Sequence, residues 1–532
     1  MKKLLAFIFI LSLTLALTAC TSLPTEEAEH TVQAEEPHFE SLYSEAEIDY
    51  VVPTSVPNIK VNQLGYLTDS VKMAVFRGEN LPGEFHVINA ETGQAVYSGE
   101  IEERGLDRTT DEYISYGFFT DLTAPGHYYI EAQVVGRSYS FAIADDLYDD
   151  ILILAGRQYY LNRCGISLTD EFAGYTRSAC HTARTPLRED VTTTLDVTGG
   201  WHQDSSGSKD VETIAHVVSA LLLAYELNPT LYGDDTNIPE SGNQIPDLLD
   251  EIRYGIEWFA RMQDPVSGGV YGGVSVYPSG DEYAAFVEPL SVPATKMFCA
   301  IMAKFSYIYQ GYDNAYATEC LKAADRAWRY LTQNHTDLLD EMYFQAAAEM
   351  YRAAGYQGYH NVVVQYLTSE EYQDLFGAQA RILDDSRQEG VMMGAATYLL
   401  TRKRVDRNLC SEIMKTIMLM AEDITARARR SQYLTAGNER QDNNGELLTD
   451  MFFLSFVNYI IPNHEYGTVV ENHLHYLCGR NATGVSFVDE TAALSYRDLD
   501  SRLGIMNQIE PNSKLFFMLS AIIGNAEGDT HP

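Results

Sequence analysis

The chain is poor in several of the residues that mark specialised protein classes. Of 532 residues only three are Trp and seven are Cys, and the Cys are scattered, so a small disulfide-stapled scaffold is excluded. Basic residues are scarce: 37 Lys and Arg stand against 75 Asp and Glu, a net charge of −38. A phosphate backbone is repelled by such a surface, which excludes nucleic acid as a partner and leaves neutral polymers and divalent cations open. After residue 17 no apolar run is long enough to span a bilayer. What is present in quantity is Tyr, at 36 residues, in an otherwise ordinary globular composition of 45% apolar and 21% charged residues. A length of 532 residues accommodates a small domain and one large repeat-like domain.

The first twenty residues predict an export signal. Lys2 and Lys3 precede the apolar run Leu4 to Leu17, which ends in Leu17-Thr18-Ala19-Cys20. That ending resembles a bacterial lipobox, and implies a lipid on Cys20 that anchors the protein to the outer face of a membrane. From Thr21 to Asn58 there is no Lys or Arg, and acids alternate with Pro24, Pro37, Pro53 and Pro57. This composition reads as an acidic tether over 21–58.

Between residues 59 and 143 the apolar pattern has a period of two, as in Lys72 to Phe76, Phe85 to Ile88 and His127 to Ile130, broken by turn residues. Short alternating segments over about 85 residues predict a small immunoglobulin-like β-sandwich. From residue 146 to 527 the period becomes helical. Strong helical patterns run over 211–227, 245–262, 295–309, 317–331, 343–354, 391–400, 413–426 and 447–461, and weaker ones over 148–161, 357–366, 469–478 and 512–523. Twelve helices suit either a toroid of six helical hairpins or a helical solenoid.

Sequence blocks distinguish these. Lys60 to Tyr66 (KVNQLGY), Tyr159 to Cys164 (YYLNRC), Gly199 to His202 (GGWH), Asn237 to Glu251 (NIPESGNQIPDLLDE), Ala346 to Tyr351 (AAAEMY) and Leu477 to Asn481 (LCGRN) occur in this order. The series resembles glycoside hydrolase family 9 preceded by its immunoglobulin-like module. The resemblance implies a mainly α protein, an (α/α)6 barrel behind a β-sandwich, that hydrolyses β-1,4-glucan with inversion.

Inversion requires one carboxylic acid and one carboxylate on opposite sides of the scissile bond. In the family the base and its helper belong to Asp-Ala-Gly-Asp after Gly-Gly-Trp-His. Here Gln203, Asp204, Ser205 and Ser206 occupy those positions, and the position of the family's acid falls on Met506 or, in another register, Gln508. Asp204, Asp210 and Glu510 are the nearest substitutes. The sugar-gripping Pro-His-His-Arg is also missing, leaving Arg497 and Arg502, with Trp201, as substrate-binding candidates. Cys164, Cys180, His181 and His202 offer the two thiolates and two imidazoles that Zn²⁺ favours, and the resemblance implies a structural zinc there. Asp234, Asp235, Glu240 and Asp247 are an oxygen set for calcium, although helix capping also explains several of them. The expectation is a cell-surface lipoprotein that acts on or binds β-1,4-glucan with weak or lost hydrolysis. The alternatives are an active inverting endoglucanase using Asp204 or Asp210 as base and Glu510 as acid, or a purely structural interaction protein.

Overall fold

The computed structural model describes residues 56–108, 110–279, 282–377, 386–437, 444–488 and 504–528. Cys20, the tether up to residue 55, Arg497 and Arg502 lie outside the described residues.

Nine strands form the amino-terminal sandwich: β1 (Ile59–Lys60), β2 (Gly65–Tyr66), β3 (Met73–Arg77), β4 (Glu84–Asn89), β5 (Ala95–Asp107), β6 (Glu112–Phe118), β7 (Gly126–Ala132), β8 (Gly136–Arg137) and β9 (Phe141–Ile143). They are ordered β1-β3-β6-β5-β4-β7-β9-β2, with β8 on β7. The long β5 joins the two layers: its first half pairs with β4 and its second half with β6. Alternation places Val87, Phe85, Phe76, Ile130 and Phe141 in the shared core. Gly99 and Gly117 are required there, because a Cβ on either would lie 2.6 Å from the Phe85 ring.

The helical region contains all twelve expected helices, most of them a few residues longer than their apolar repeats. They are α1 (Asp149–Leu161), α2 (Val211–Leu227), α3 (Asp247–Met262), α4 (Val292–Tyr309), α5 (Asn314–Asn334), α6 (Glu341–Ala354), α7 (Gln357–Leu367), α8 (Ser386–Leu400), α9 (Arg407–Arg430), α10 (Asn444–Ile460), α11 (His464–Leu477) and α12 (Ile509–Gly528). Even-numbered helices pack on one another in an inner ring, α2 on α4, α4 on α6, α6 on α8, α10 on α12 and α12 on α2, and each odd-numbered helix packs outside an even one. The residues explain the division. α2 and α4 are apolar nearly all round and bury most of their lengths, whereas α3 and α5 carry one apolar stripe and a charged outer face. Side-chain caps start several helices: Asp210 accepts from Thr213 N at 2.8 Å, Ser291 from Ala294 N at 3.2 Å and Asp340 from Tyr343 N at 2.9 Å. The helices thus build the (α/α)6 barrel, with the amino-terminal ends of the inner ring at one mouth. Among the described residues no helix is long and apolar enough to cross a membrane.

Several short elements were not expected, among them a helix at Asp170–Ala173 and the strand pairs Thr185–Pro186 with Thr194–Leu195 and Val270–Tyr271 with Leu290–Ser291. A short helix, Glu370–Phe376, follows α7, and a β-hairpin interrupts the helical region. Its strands are β11 (Gly273–Ser279) and β12 (Glu282–Val287), and β11 also pairs with β10 (Lys209–Asp210), the segment that leads into α2.

The sandwich is joined to the barrel through the KVNQLGY block. Asn62 is fully buried, its Nδ2 lies 2.9 Å from His475 Nδ1, and its Oδ1 accepts from the Leu64 and Gly65 amides. Gln63 donates from its amide to Cys478 O and from Nε2 to Gly484 O. The first and last family-like blocks are therefore two halves of one interdomain joint.

Candidate functional site

The loop from Gly199 to Lys209 enters the barrel mouth ahead of α2. Trp201 is wholly buried and its Nε1 donates to Glu251 Oε1 at 2.7 Å, so it cannot stack on a sugar and the substrate-binding expectation for it is corrected. It packs edge-on against Tyr159 and needs Gly255 opposite, where a Cβ would lie 2.6 Å from the indole. Glu251 also receives the buried Arg163 guanidinium, whose other edge is bidentate to Glu240 at 2.9 and 3.1 Å. The blocks YYLNRC, GGWH and NIPESGNQIPDLLDE meet in this network. Its function is to hold the loop.

Beside it, Cys164, Cys180, His181 and His202 each present a ligand atom, and these atoms lie within 4.8 Å of one another. Cys180 Sγ is 3.3 Å from His202 Nε2. Two sulfurs and two nitrogens in that space fit tetrahedral zinc, whose bonds are about 2.0–2.3 Å. His181 takes a left-handed φ of 48°, and Gly207 leaves space for its ring, since a Cβ there would lie 2.4 Å from Cε1. The hydrogen bond between the two sulfurs, with burial added, pushes the Cys164 thiol up. The same hydrogen bond and the adjacent imidazoles hold Cys180 low, as a thiolate. Burial lowers His202 to about 4, so the ring is neutral and able to ligate. Lys209, which the sequence reading passed over, is buried with Nζ 3.5 Å from Cys164 Sγ and donates to Val197 O and Gly199 O. These bonds tie the end of the loop to its beginning and place an ammonium beside the sulfur pair.

The calcium candidates divide. Asp234, Asp247 and Asp250 bring carboxylate oxygens within 4.8 Å of one another, whereas Glu240 is engaged by Arg163 and Asp235 is not in the group. Asp247 Oδ2 accepts from Thr236 N, Thr236 Oγ1 and Ser241 Oγ, while its buried Oδ1 has no partner. Burial, with the charges of Glu240 and Asp247, pushes Asp250 up to about 6 against a hydrogen bond from Asn243.

Two of the three catalytic substitutes, Asp204 and Asp210, have structural duties. Asp204 Oδ1 accepts from the amides of Ser206, Gly207 and Ser208 at 2.9–3.0 Å and from Ser206 Oγ at 2.6 Å. Burial would push this carboxyl up, but those hydrogen bonds outweigh it and hold it below its ordinary range. Asp210 is the cap of α2. Gln203 ties the loop to the start of α2, its Oε1 accepting from Asp210 N at 3.0 Å and its Nε2 lying 3.4 Å from Thr213 Oγ1. Met506 is buried, and Glu510 sits half-buried in the first turn of α12.

A charged group that no family-like block contains links the inner helices α2, α8, α10 and α12. Glu389 of α8 is 2.7 Å from Lys514 of α12, and His216 of α2 approaches its other oxygen at 3.9 Å. Lys514 Nζ also lies 3.3 Å from Thr449 Oγ1 on α10.

A sandwich followed by an (α/α)6 barrel, with a two-Cys, two-His group under the loop at its mouth, defines the architecture of carbohydrate-active barrels. The model of glycosyl hydrolase family 9 matches residues 148–513, and that of the cellulase N-terminal ig-like domain matches residues 54–137. The chain belongs to glycosyl hydrolase family 9. It is 28% identical over 466 residues to Endoglucanase D of Acetivibrio thermocellus, covering 81% of this chain and 72% of that one. It is 24% identical to a xyloglucan-specific endo-beta-1,4-glucanase of Bacteroides ovatus over 90% of this chain and 88% of that one. A metagenome-derived family 9 endoglucanase crystal structure superposes with a TM-score of 0.77 at 25% identity, covering 88% of this chain and 99% of that one.

Proposed function

We propose that this chain is a β-1,4-glucan-binding member of family 9 in which hydrolysis is weak or lost, displayed on the outer face of a bacterial membrane by a lipid on Cys20. The carrying observation is that both carboxylates near the loop have structural duties: Asp204 Oδ1 holds its own turn through three amides and a hydroxyl, and Asp210 Oδ1 caps α2. A general base works best with a pKa near the working pH, and one held below the ordinary carboxylate range is a weak base. Gln203, Ser206 and Met506 cannot exchange a proton near neutral pH at all. Losing a general acid or base costs about 10²- to 10⁴-fold each.

Cys164, Cys180, His181 and His202 would hold zinc, which supplies a fixed tetrahedral anchor for the loop and takes no part in chemistry. The Asp234, Asp247 and Asp250 group supports a calcium ion, whose binding should raise the melting temperature.

Reducing-sugar release from soluble β-1,4-glucan, measured beside cello-oligosaccharide binding by calorimetry, tests the reading: binding with little turnover is expected. Robust turnover that collapses in Glu510→Gln and in Asp204→Asn or Asp210→Asn would establish the active inverting enzyme instead. Cys20→Ser should move the protein to the aqueous fraction, and unchanged membrane association would remove the anchor.

A further inference from the structure

The unexpected hairpin stands against the altered loop. Lys209 pairs with Val274 and Asp210 with Gly273, and Val276 N donates to Ser208 Oγ at 3.2 Å. Successive side chains of a strand point to opposite faces. Val274, Val276 and Val287 enter the core, so Ser275 with Phe286, and Tyr277 with Ala284, share the open face. Over that face lies Arg188, its guanidinium 5.0 Å from the Tyr277 ring centre and 5.3 Å from that of Phe286. Arg188 Nη2 donates to the Tyr277 hydroxyl at 2.9 Å, and Glu288 clamps the same guanidinium at 2.6 and 2.7 Å. Tyr277 nevertheless remains 46% exposed.

A large exposed aromatic ring is usually free to reorient, and ordering it on binding costs conformational entropy. Here the ring is ordered in advance, so more of the contact free energy is retained. The clamp also limits what the ring can take. Arg188 is neutralised by Glu288, whose carboxylate repels anions, so a phosphate or carboxylate ligand gains nothing. A β-1,4-linked glucosyl ring carries its hydroxyls equatorially and presents a flat C–H face, which complements an exposed phenol ring flanked by hydrogen-bonding groups.

Resting on the glucan-binding reading, we propose that Tyr277 is a stacking subsite for one glucosyl unit beside the Gln203 to Lys209 loop, with Arg188 and Glu288 as its positioning residues. Calorimetric titration with cellohexaose provides the test. Stacking worth about 1–1.4 kcal/mol predicts roughly 5- to 10-fold weaker binding for Tyr277→Ala. Tyr277→Phe, which keeps the ring but loses the hydroxyl bonded by Arg188, and Glu288→Gln, which loosens the clamp, should both fall between wild type and Tyr277→Ala. Tyr277→Trp should retain affinity and shift its emission when cellohexaose is added. Unchanged melting temperatures confine these effects to the surface. If the wild type binds cellohexaose and Tyr277→Ala binds it equally well, or the Tyr277→Trp emission does not respond, the subsite is overturned while the glucan reading stands. If the wild type does not bind, the glucan reading itself fails and the subsite with it.

Discussion

Two adjacent stretches of the same loop have had opposite fates. Gly199 to His202 retain a full set of partners: Trp201 is held by Glu251, and His202 stands with the two cysteines. Gln203 to Ser206, the next four residues, carry none of the family's ionisable pattern, and their polar groups are spent on each other and on the start of α2. The difference separates two requirements that family resemblance merges. Residues that position the loop are buried and interlocked, so exchanging one strands several partners. Residues that perform chemistry face the cleft, and replacing an acid by an amide there leaves the scaffold standing. The fold does not by itself demand the reaction.

Breaking the metal group should have the largest effect. Structural zinc contributes about 10–16 kcal/mol of apparent free energy in small zinc peptides, and here Arg163 and Glu251 also restrain the loop, so a loss of about 5 kcal/mol is expected. Cys180→Ala, or chelation of the wild type, should lower the melting temperature accordingly, with about one zinc per chain found by metal analysis of the untreated protein. A metal-free protein of unchanged stability would contradict this.

Next in size is the loss of Glu251, which pairs with Arg163 and satisfies the Trp201 indole. Removing one partner of a buried ion pair costs about 3–5 kcal/mol, and because Glu240 still compensates Arg163 the lower end is expected for Glu251→Leu in chemical denaturation. If the variant is as stable as wild type, the retained half of the loop is not interlocked in the way described.

The Glu389 and Lys514 pair gives an effect of about 3 kcal/mol that depends on pH. Burial alone would raise the Glu389 carboxyl, but Lys514, with His216, holds it below its ordinary range. Its stabilising contribution is therefore complete above the unfolded value of about 4.3 and is lost as pH falls through the depressed folded value. In Lys514→Met burial is no longer opposed by an ammonium, the carboxyl rises, and the variant loses stability as pH climbs from 4 to 7. Denaturation of both proteins should show a gap widest at pH 7 that narrows toward pH 4 and closes only below the depressed folded value of Glu389. A constant gap would show that Lys514 acts through packing alone.

Much of the fold was legible because it follows from periodicity. The change from two-residue to helical repeats separates sandwich from barrel, and α2 begins and ends at the residues expected. The metal group was legible from residue types and block order. Hidden were features created by distance in the chain: Lys209 beneath Cys164, Glu251 under Trp201, and the pairing of Glu389 with Lys514 from different helices. The hairpin was hidden because its short alternating run lies within a long helical region. Trp201 was misjudged because an indole in a glycine-rich loop looks exposed until Gly255 is found opposite it.

The smallest effect belongs to Asp204, where charge and shape can be separated. If Asp204 were the base, Asp204→Asn would remove the only proton acceptor and reduce turnover by about 10²- to 10⁴-fold. In the structure the useful property of Asp204 is an oxygen that accepts three amides and a hydroxyl, and Asn offers that oxygen in the same place. The loss is then limited to the charge component of those hydrogen bonds, about 1 kcal/mol, whereas Asp204→Ala strands three amides and should cost about 2–3 kcal/mol. Any residual hydrolysis should be the same in Asp204→Asn as in wild type. Thermal denaturation and reducing-sugar assays on the Asn and Ala variants together decide between the two roles: a stable Asp204→Asn protein with collapsed turnover would make Asp204 the base and return the second half of the loop to catalysis.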